Sequence, residues 1–196
     1  MLEHLEEGLP DEELIARHQA GDQESFALLI RRHQRLVFGL AFQILRNREE
    51  ANEATQEAFV MAFQKIHRFD GRSTFGTWLG RIVLNRCFEA LRRRHRWGFL
   101  SDRGQLREQG ARDPWSTLAD PAPGPEGEVE KRQLADGLAR LLETLSPRQR
   151  IIFILRHLEG RSTREVSLLT GLDEDSVKTH LLRAIRKLRA GLKPFR

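Results

Sequence analysis

From Trp97 to about Glu128 no periodic pattern survives in this chain. Gly98, Gly104, Gly110, Pro114, Pro121, Pro123, Gly124, Pro125 and Gly127 interrupt it throughout. Proline removes a backbone donor and fixes φ, and glycine costs backbone entropy, so no helix or strand is expected there. A run of roughly thirty such residues is longer than a compact domain usually holds between its elements. The 196 residues are therefore expected to form two small units, 1–96 and 129–196, joined by a long flexible linker over 97–128.

Both flanks carry one kind of period. Apolar residues recur at three and four, strand-like alternation is missing, and there is no Tyr. The fold class expected is all-α. Asp11 is placed to cap a short helix ending before Gly21, and Asp22 a longer one with Phe26, Leu29, Ile30, His33, Val37, Leu40, Ala41 and Ile44 inward. A third helix spans about 49–66, with Ala54, Ala58, Met61 and Ala62 on one side. After a turn-rich break, Ser73 or Thr74 opens the stretch STFGTWLGRIVLNRCFEALRRRHR, which reads as one helix. Beyond the linker, Leu134, Leu138, Leu141, Leu142 and Leu145 form a stripe. Ser146 and Pro147 begin another helix as cap and first residue.

Charge is segregated. The first thirty residues hold eight acids against Arg17 alone. Residues 101–130 carry seven acids (Asp102, Glu108, Asp113, Asp120, Glu126, Glu128 and Glu130) against three arginines, whereas 148–193 carry eleven basic residues against five acidic. Overall there are 33 Lys and Arg against 28 Asp and Glu. Such a distribution suits a polyanionic partner for the basic surfaces and a different one for the acidic surfaces. The one cysteine, Cys87, excludes an intrachain disulfide and points to a reducing, cytoplasmic setting. Its place among apolar residues predicts a small buried side chain. The chain's acidic start resembles no secretory leader, and its longest aliphatic and aromatic run, residues 151–155, is too short to span a bilayer.

The last segment follows helix-turn-helix grammar. Ser162 and Glu165 fit a capping box, Gly171 sits where the chain must turn through positive φ, and Asp173 can cap the helix that follows. Val177, Leu181, Ala184 and Leu188 form its core stripe. Ser176, Thr179, His180, Arg183 and Lys187 share the opposite face, flanked by Lys178 and Arg186. These are donors of the kind that reach base edges and phosphates in a major groove. Ser167 stands where an apolar residue is more usual and needs a backbone partner.

On the wheel of residues 73–96, Trp78, Arg81, Asn85 and Arg92 share an arc of roughly 60°. A flat π-surface beside amide and guanidinium groups suits unpaired bases, and the terminal arginines suit the phosphate backbone. The competing reading packs Trp78 on a neighbouring helix and pairs Asn85 with a carbonyl. Phe69 and Phe75 read as core anchors of the loop. Arg86 falls near the apolar side and must meet an acid or snorkel.

The segments FDGRSTFGTWLGRIVLNRCFEALRRRHR, with EEANEATQEAFVMAFQKI before it, and LSPRQRIIFILRHLEGRSTREVSLLTGLDEDSVKTHLLRAIRKLR resemble the two conserved domains of extracytoplasmic-function (group IV) sigma factors of the sigma-70 family, in the right order. The resemblance implies a helical bundle, a linker and a helix-turn-helix domain. It implies docking on core RNA polymerase, at the β′ clamp helices through Glu53, Gln56 and Glu57, and at the β flap. Asn52 stands where an acid is common. It further implies that the loop of Phe69, Asp70, Gly71, Arg72, Ser73 and Phe75, with Trp78 and Asn85, captures a base of the −10 promoter element and separates the strands. It implies that Lys178, Thr179, Leu182 and Arg183 read the −35 element in duplex DNA. The acidic linker resembles the segment that threads near the polymerase active site. An anti-sigma factor, which can be membrane-linked, is implied as a further partner.

No cofactor, metal site, catalytic group or small-molecule substrate is expected. The seven histidines, His33, His67 and His95 among them, show no ligand spacing, and no Gly-rich phosphate loop occurs. The competing class is a stand-alone helix-turn-helix regulator with an N-terminal dimerisation or ligand domain.

Overall fold

In a computed structural model the described residues are 8–100, 137 and 140–192. They hold seven α-helices and no strand. The acidic stretch 101–130 and the leucines at 134 and 138 lie outside the described residues.

The first four helices form a bundle: α1 (Asp11–Gln19), α2 (Gln23–Leu45), α3 (Arg48–Lys65) and α4 (Phe75–Leu100). Local chemistry sets their ends. Asp22 accepts a hydrogen bond from the Glu24 amide at 3.0 Å and caps α2. Asn47 caps α3 through the Glu50 amide. Thr74 accepts from the Thr77 amide at the head of α4. Asp11 is not a cap, contrary to the sequence expectation. It is the first residue of α1, and its carboxylate pairs with Arg32 at 2.5 Å and with His33 at 2.7 Å. The reason is tertiary: α1 crosses α2, and a carboxylate there gains more from a guanidinium and an imidazole than from its own amides. Helix α4 runs to Leu100, four residues into the stretch assigned to the linker.

Three further helices follow: α5 (Pro147–Phe153), which continues as a π turn over Ile154–Leu158, α6 (Thr163–Thr170) and α7 (Glu174–Leu192). Ser146 with Gln149 and Ser162 with Glu165 form complete capping boxes on α5 and α6. Gly171 has φ 70°, a left-handed conformation that suits glycine, between α6 and α7. Ser167 donates to the Leu172 carbonyl at 2.6 Å across that turn, which supplies the backbone partner its position demands.

The core is continuous from one half to the other. Leu29, Leu79, Val83 and Cys87 belong to the same buried cluster as Ile151, Ile152, Leu155, Val166 and Val177. Helices α5 and α6 pack on α4. Each large aliphatic side chain removed from water in this way contributes about 1.5–3 kcal/mol. Cys87 is fully buried, and burial pushes its thiol up to about 12, so it is a small apolar residue here. Arg86 meets Glu89 at 2.9 Å and Glu57 at 3.8 Å.

Candidate nucleic-acid interface

Two polar helix faces are candidates, one on α4 and one on α7. Ahead of α4, the loop turns at Gly71 (φ 72°), with the Arg72 amide donating to Asp70 and the two side chains paired at 3.0 Å. The residues from Asp70 to Arg72 are exposed, and Ser73 is half-buried. Below them three aromatics pack together, Phe69 edge to face on both Phe75 and Trp78, which are tilted to one another. Ring centroids are 5.5 Å apart for Phe69 and Trp78, 6.1 Å for Phe69 and Phe75, and 5.7 Å for Phe75 and Trp78. His33 closes the floor, 5.2 Å from Phe75.

Phe75 is 1% exposed, which agrees with its reading as a core anchor and corrects its inclusion among the base-contacting residues that the resemblance implied: it has no free surface in this arrangement and anchors the loop from below. Phe69 and Trp78 are half-buried and each offers part of a ring. Trp78 is thus both a packing residue and a candidate surface, and the two readings of it meet.

Arg81, Asn85 and Arg92 are exposed along α4 as the wheel predicts. They do not look into open solvent. A Cβ built on Gly80 would lie 3.1 Å from the Leu169 side chain of α6, and one on Gly171 would lie 3.7 Å from the Arg81 guanidinium. Asn85 lines a small cavity with Phe88, Arg148, Ile152 and Leu172. The Arg92 and Arg148 guanidinium groups both sit over the Phe88 ring, at 5.7 and 5.1 Å. The helix-turn-helix therefore leans on the α4 face. Packing there is incomplete, because a cavity of about 320 Å³ opens beside it between α2, α4 and α6.

The terminal arginines divide. Arg92, Arg93 and Arg96 are exposed. Arg94 is committed to the fold: it donates to Glu50 at 2.8 Å and to the Leu45 carbonyl at 3.0 Å, so it ties α4 to α2 and α3 and is not available to a phosphate.

On α7, Val177, Ala184 and Leu188 are buried and Thr179, Leu182, Arg183 and Arg186 are exposed, as the stripe predicts. Three expected contacts are less free, two through hydrogen bonds and one through burial. The Ser176 hydroxyl donates to Asp173 at 2.7 Å and completes the cap. Lys187 reaches back to the Thr144 carbonyl. His180 is half-buried beside Arg148 and Arg183, and burial first, then those cations, holds its imidazole below the usual range, favouring the neutral ring. Lys178 forms an exposed pair with Asp175 at 3.0 Å, which leaves it mobile enough to change partners.

On α3, Glu53, Gln56 and Glu57 are exposed on one side, with Val60 and Phe63 exposed beyond them. An acidic and apolar surface of this kind suits a protein partner and repels DNA.

Spacing places His33 inward but does not name Asp11 as its partner, and it does not predict the Arg94 tie or the burial of Arg150. A weak signal exists: each of these side chains falls on or beside an otherwise apolar stripe. Among the described residues no group of three His, Cys, Asp or Glu could hold a metal ion. No helix among them is long and apolar enough to cross a membrane.

Comparison with known proteins bears on these faces. Residues 29–97 match the model for sigma-70 region 2, and residues 135–188 that for sigma-70 region 4. The chain is 30% identical to the ECF RNA polymerase sigma factor SigM of Mycobacterium tuberculosis over 91% of its own length and 82% of that protein. It is 30% identical to the RNA polymerase sigma factor NccH of Alcaligenes xylosoxydans xylosoxydans over 92% and 93% of the two chains. The fold resembles the sigma factor RpoE of Bartonella quintana, solved with the anti-sigma factor NepR, with a TM-score of 0.59, 22% identity and 88% of this chain and 99% of that one covered.

Proposed function

This chain belongs to the extracytoplasmic-function sigma factors of the sigma-70 family, and from that premise we propose how its residues divide the work of an alternative sigma factor. The α3 surface of Glu53, Gln56 and Glu57 docks on core RNA polymerase. Residues 129–196 form the unit that reads paired −35 DNA, through Thr179 and Arg183 with Lys178, Leu182 and Arg186 beside them. Residues 1–96 form the unit that holds unpaired −10 bases, on Trp78, Arg81 and Asn85, with the Asp70–Ser73 loop above. Stacking and hydrogen bonds to a displaced base offset the cost of unpairing it. The observation that supports this division most is the pair of outward polar faces on α4 and α7, each built over its own apolar stripe.

The contact of Leu169 with α4 covers part of the base-holding face. Promoter engagement then requires α6 to leave α4, and polymerase, by binding both halves, favours the separated form. By likeness to the anti-sigma complex, an anti-sigma partner favours a form that cannot engage the promoter. Opening is feasible because the seam is imperfectly filled.

Run-off transcription with purified core polymerase on a promoter library tests the reading. Specific start points are expected. Arg183→Ala should lower output from duplex promoters by roughly ten- to hundredfold and spare templates already open at −10. Asn85→Ala should leave upstream binding intact and impair strand opening, seen by permanganate footprinting. Neutral replacement of Glu53 and Gln56 together should weaken retention by core enzyme. Tight binding to a palindrome without polymerase would instead favour the stand-alone regulator.

A further inference from the structure

Arg150 is the one charged side chain buried in the second half among the described residues, at 4% exposure, and its Nε has no hydrogen-bond partner. It lies at the seam and lines a cavity of about 370 Å³ with Arg94, His95 and Glu143, floored by Leu91 and Leu145. A buried cation is costly unless paired and hydrogen-bonded. Its acidic neighbours do not meet that need. Glu50 is committed to Arg94 at 2.6 Å, and the Glu143 side chain is exposed to water. Arg46 adds a second nearby cation to Arg94, against the charges of Glu143 and Glu50. Burial, and next the Arg94 charge, pulls the Arg150 guanidinium down to about 10, so it remains a cation at neutral pH and has an unmet demand for an acceptor.

We infer that this cavity is an oxyanion site, in which Arg150 receives a small phosphate-bearing ligand between α4 and the start of α5, while Arg94 stays bonded to Glu50 and Leu45 and adds only its charge to the wall. A guanidinium matches a tetrahedral oxyanion with paired donors, and the cavity has room for more than a bare phosphate. Walls come from both halves of the chain: Leu91, Arg94 and His95 belong to α4, and Glu143, Leu145 and Arg150 to the segment that follows the linker. A ligand held there binds only the closed arrangement and favours it by linkage. The site thus ties the closing of the molecule to the supply of a small anion, independently of any protein partner.

The test is titration of the full chain with inorganic phosphate against chloride at constant ionic strength, followed by calorimetry and by the arginine Nε–H resonances. Saturable binding and a shift of a protected Nε–H signal are expected. Arg150→Met should weaken binding by roughly tenfold or more and remove that signal, whereas Arg164→Met, at an exposed position of α6, should leave both unchanged. Glu143→Gln, which removes a competing charge without touching the core, should tighten binding. Leu169→Asp, remote from the cavity, should weaken it by depopulating the closed form. Glycerol phosphate, compared with inorganic phosphate, distinguishes a monoester from the free ion. Absence of saturation by either compound, or equal affinity in the Arg150 and Arg164 variants, overturns the site, as does binding that Glu143→Gln leaves unchanged.

Discussion

The faces of α4 and α7 are built on the same plan and end in different situations. Each sets amide, hydroxyl and guanidinium groups opposite a buried stripe. On α7, Thr179 and Arg183 are exposed, and the caps beneath them are local. On α4, the Trp78 ring rests on Phe69 and Phe75, while Leu169 and the Gly171 turn press against the rest of the face. A helix wheel reports which side chains share a direction. It does not report what another part of the chain has placed there. The lesson is that the α7 face is presented openly, whereas the α4 face is kept partly covered.

The largest effect expected in breaking this contrast is on the aromatic floor. Phe75→Ala should cost about 3–5 kcal/mol in denaturant unfolding, as truncation of a fully buried aromatic does, and should release Trp78 fluorescence from its neighbours. A loss below about 1 kcal/mol, the cost of an ordinary substitution, would remove the floor from the argument. Next is the cover. Leu169→Asp should separate α6 from α4, raising the radius of gyration and improving capture of a single-stranded −10 oligonucleotide by roughly tenfold. Unchanged dimensions and capture would mean that the α4 face is open already. Smaller again is the turn of the helix-turn-helix. Ser167→Ala should cost about 1 kcal/mol by leaving the Leu172 carbonyl unpaired, and should lower duplex affinity without affecting single-strand capture.

The smallest effect is on pH. Hydrogen bonds from Ser25, Ser162 and Ser176 are the main cause holding the Asp22, Glu165 and Asp173 carboxyls below their ordinary values. A depressed folded-state value means stability present above the unfolded values of 3.8 and 4.5 and lost as pH falls through and below them. Asp173→Asn, which keeps a cap but cannot titrate, should flatten the acid limb of unfolding for α7 and leave neutral stability nearly unchanged. An acid limb identical to the parent's would show that Asp173 is not linked to folding.

Local signals carried much of this architecture. The capping residues Asp22, Ser146, Ser162 and Asp173 work within three residues of themselves, so their roles could be read from spacing alone. Gly171 and Ser167 belong to the same class, since a turn is a short-range object. Asp11 and Arg94 fail that rule. Both have partners more than twenty residues away, in Arg32 and His33 for the one and Glu50 for the other. Phe75 shows the limit from another side: the residue pattern reads it as a core anchor and the resemblance as a base contact, and only its packing on His33 and Trp78 decides for the core.

Sequence alone determined the helical class, the order of the elements, the two polar faces and the helix-turn-helix, because helical period, caps and turns are decided by neighbours along the chain. Only the tertiary structure decided that one core runs through both halves, that α6 covers part of α4 and that Arg150 is enclosed without a partner at its Nε. These depend on which apolar surfaces meet across the chain. The hydrophobic effect that drives such meetings has no direction, so the period of a stripe cannot name the surface it will find.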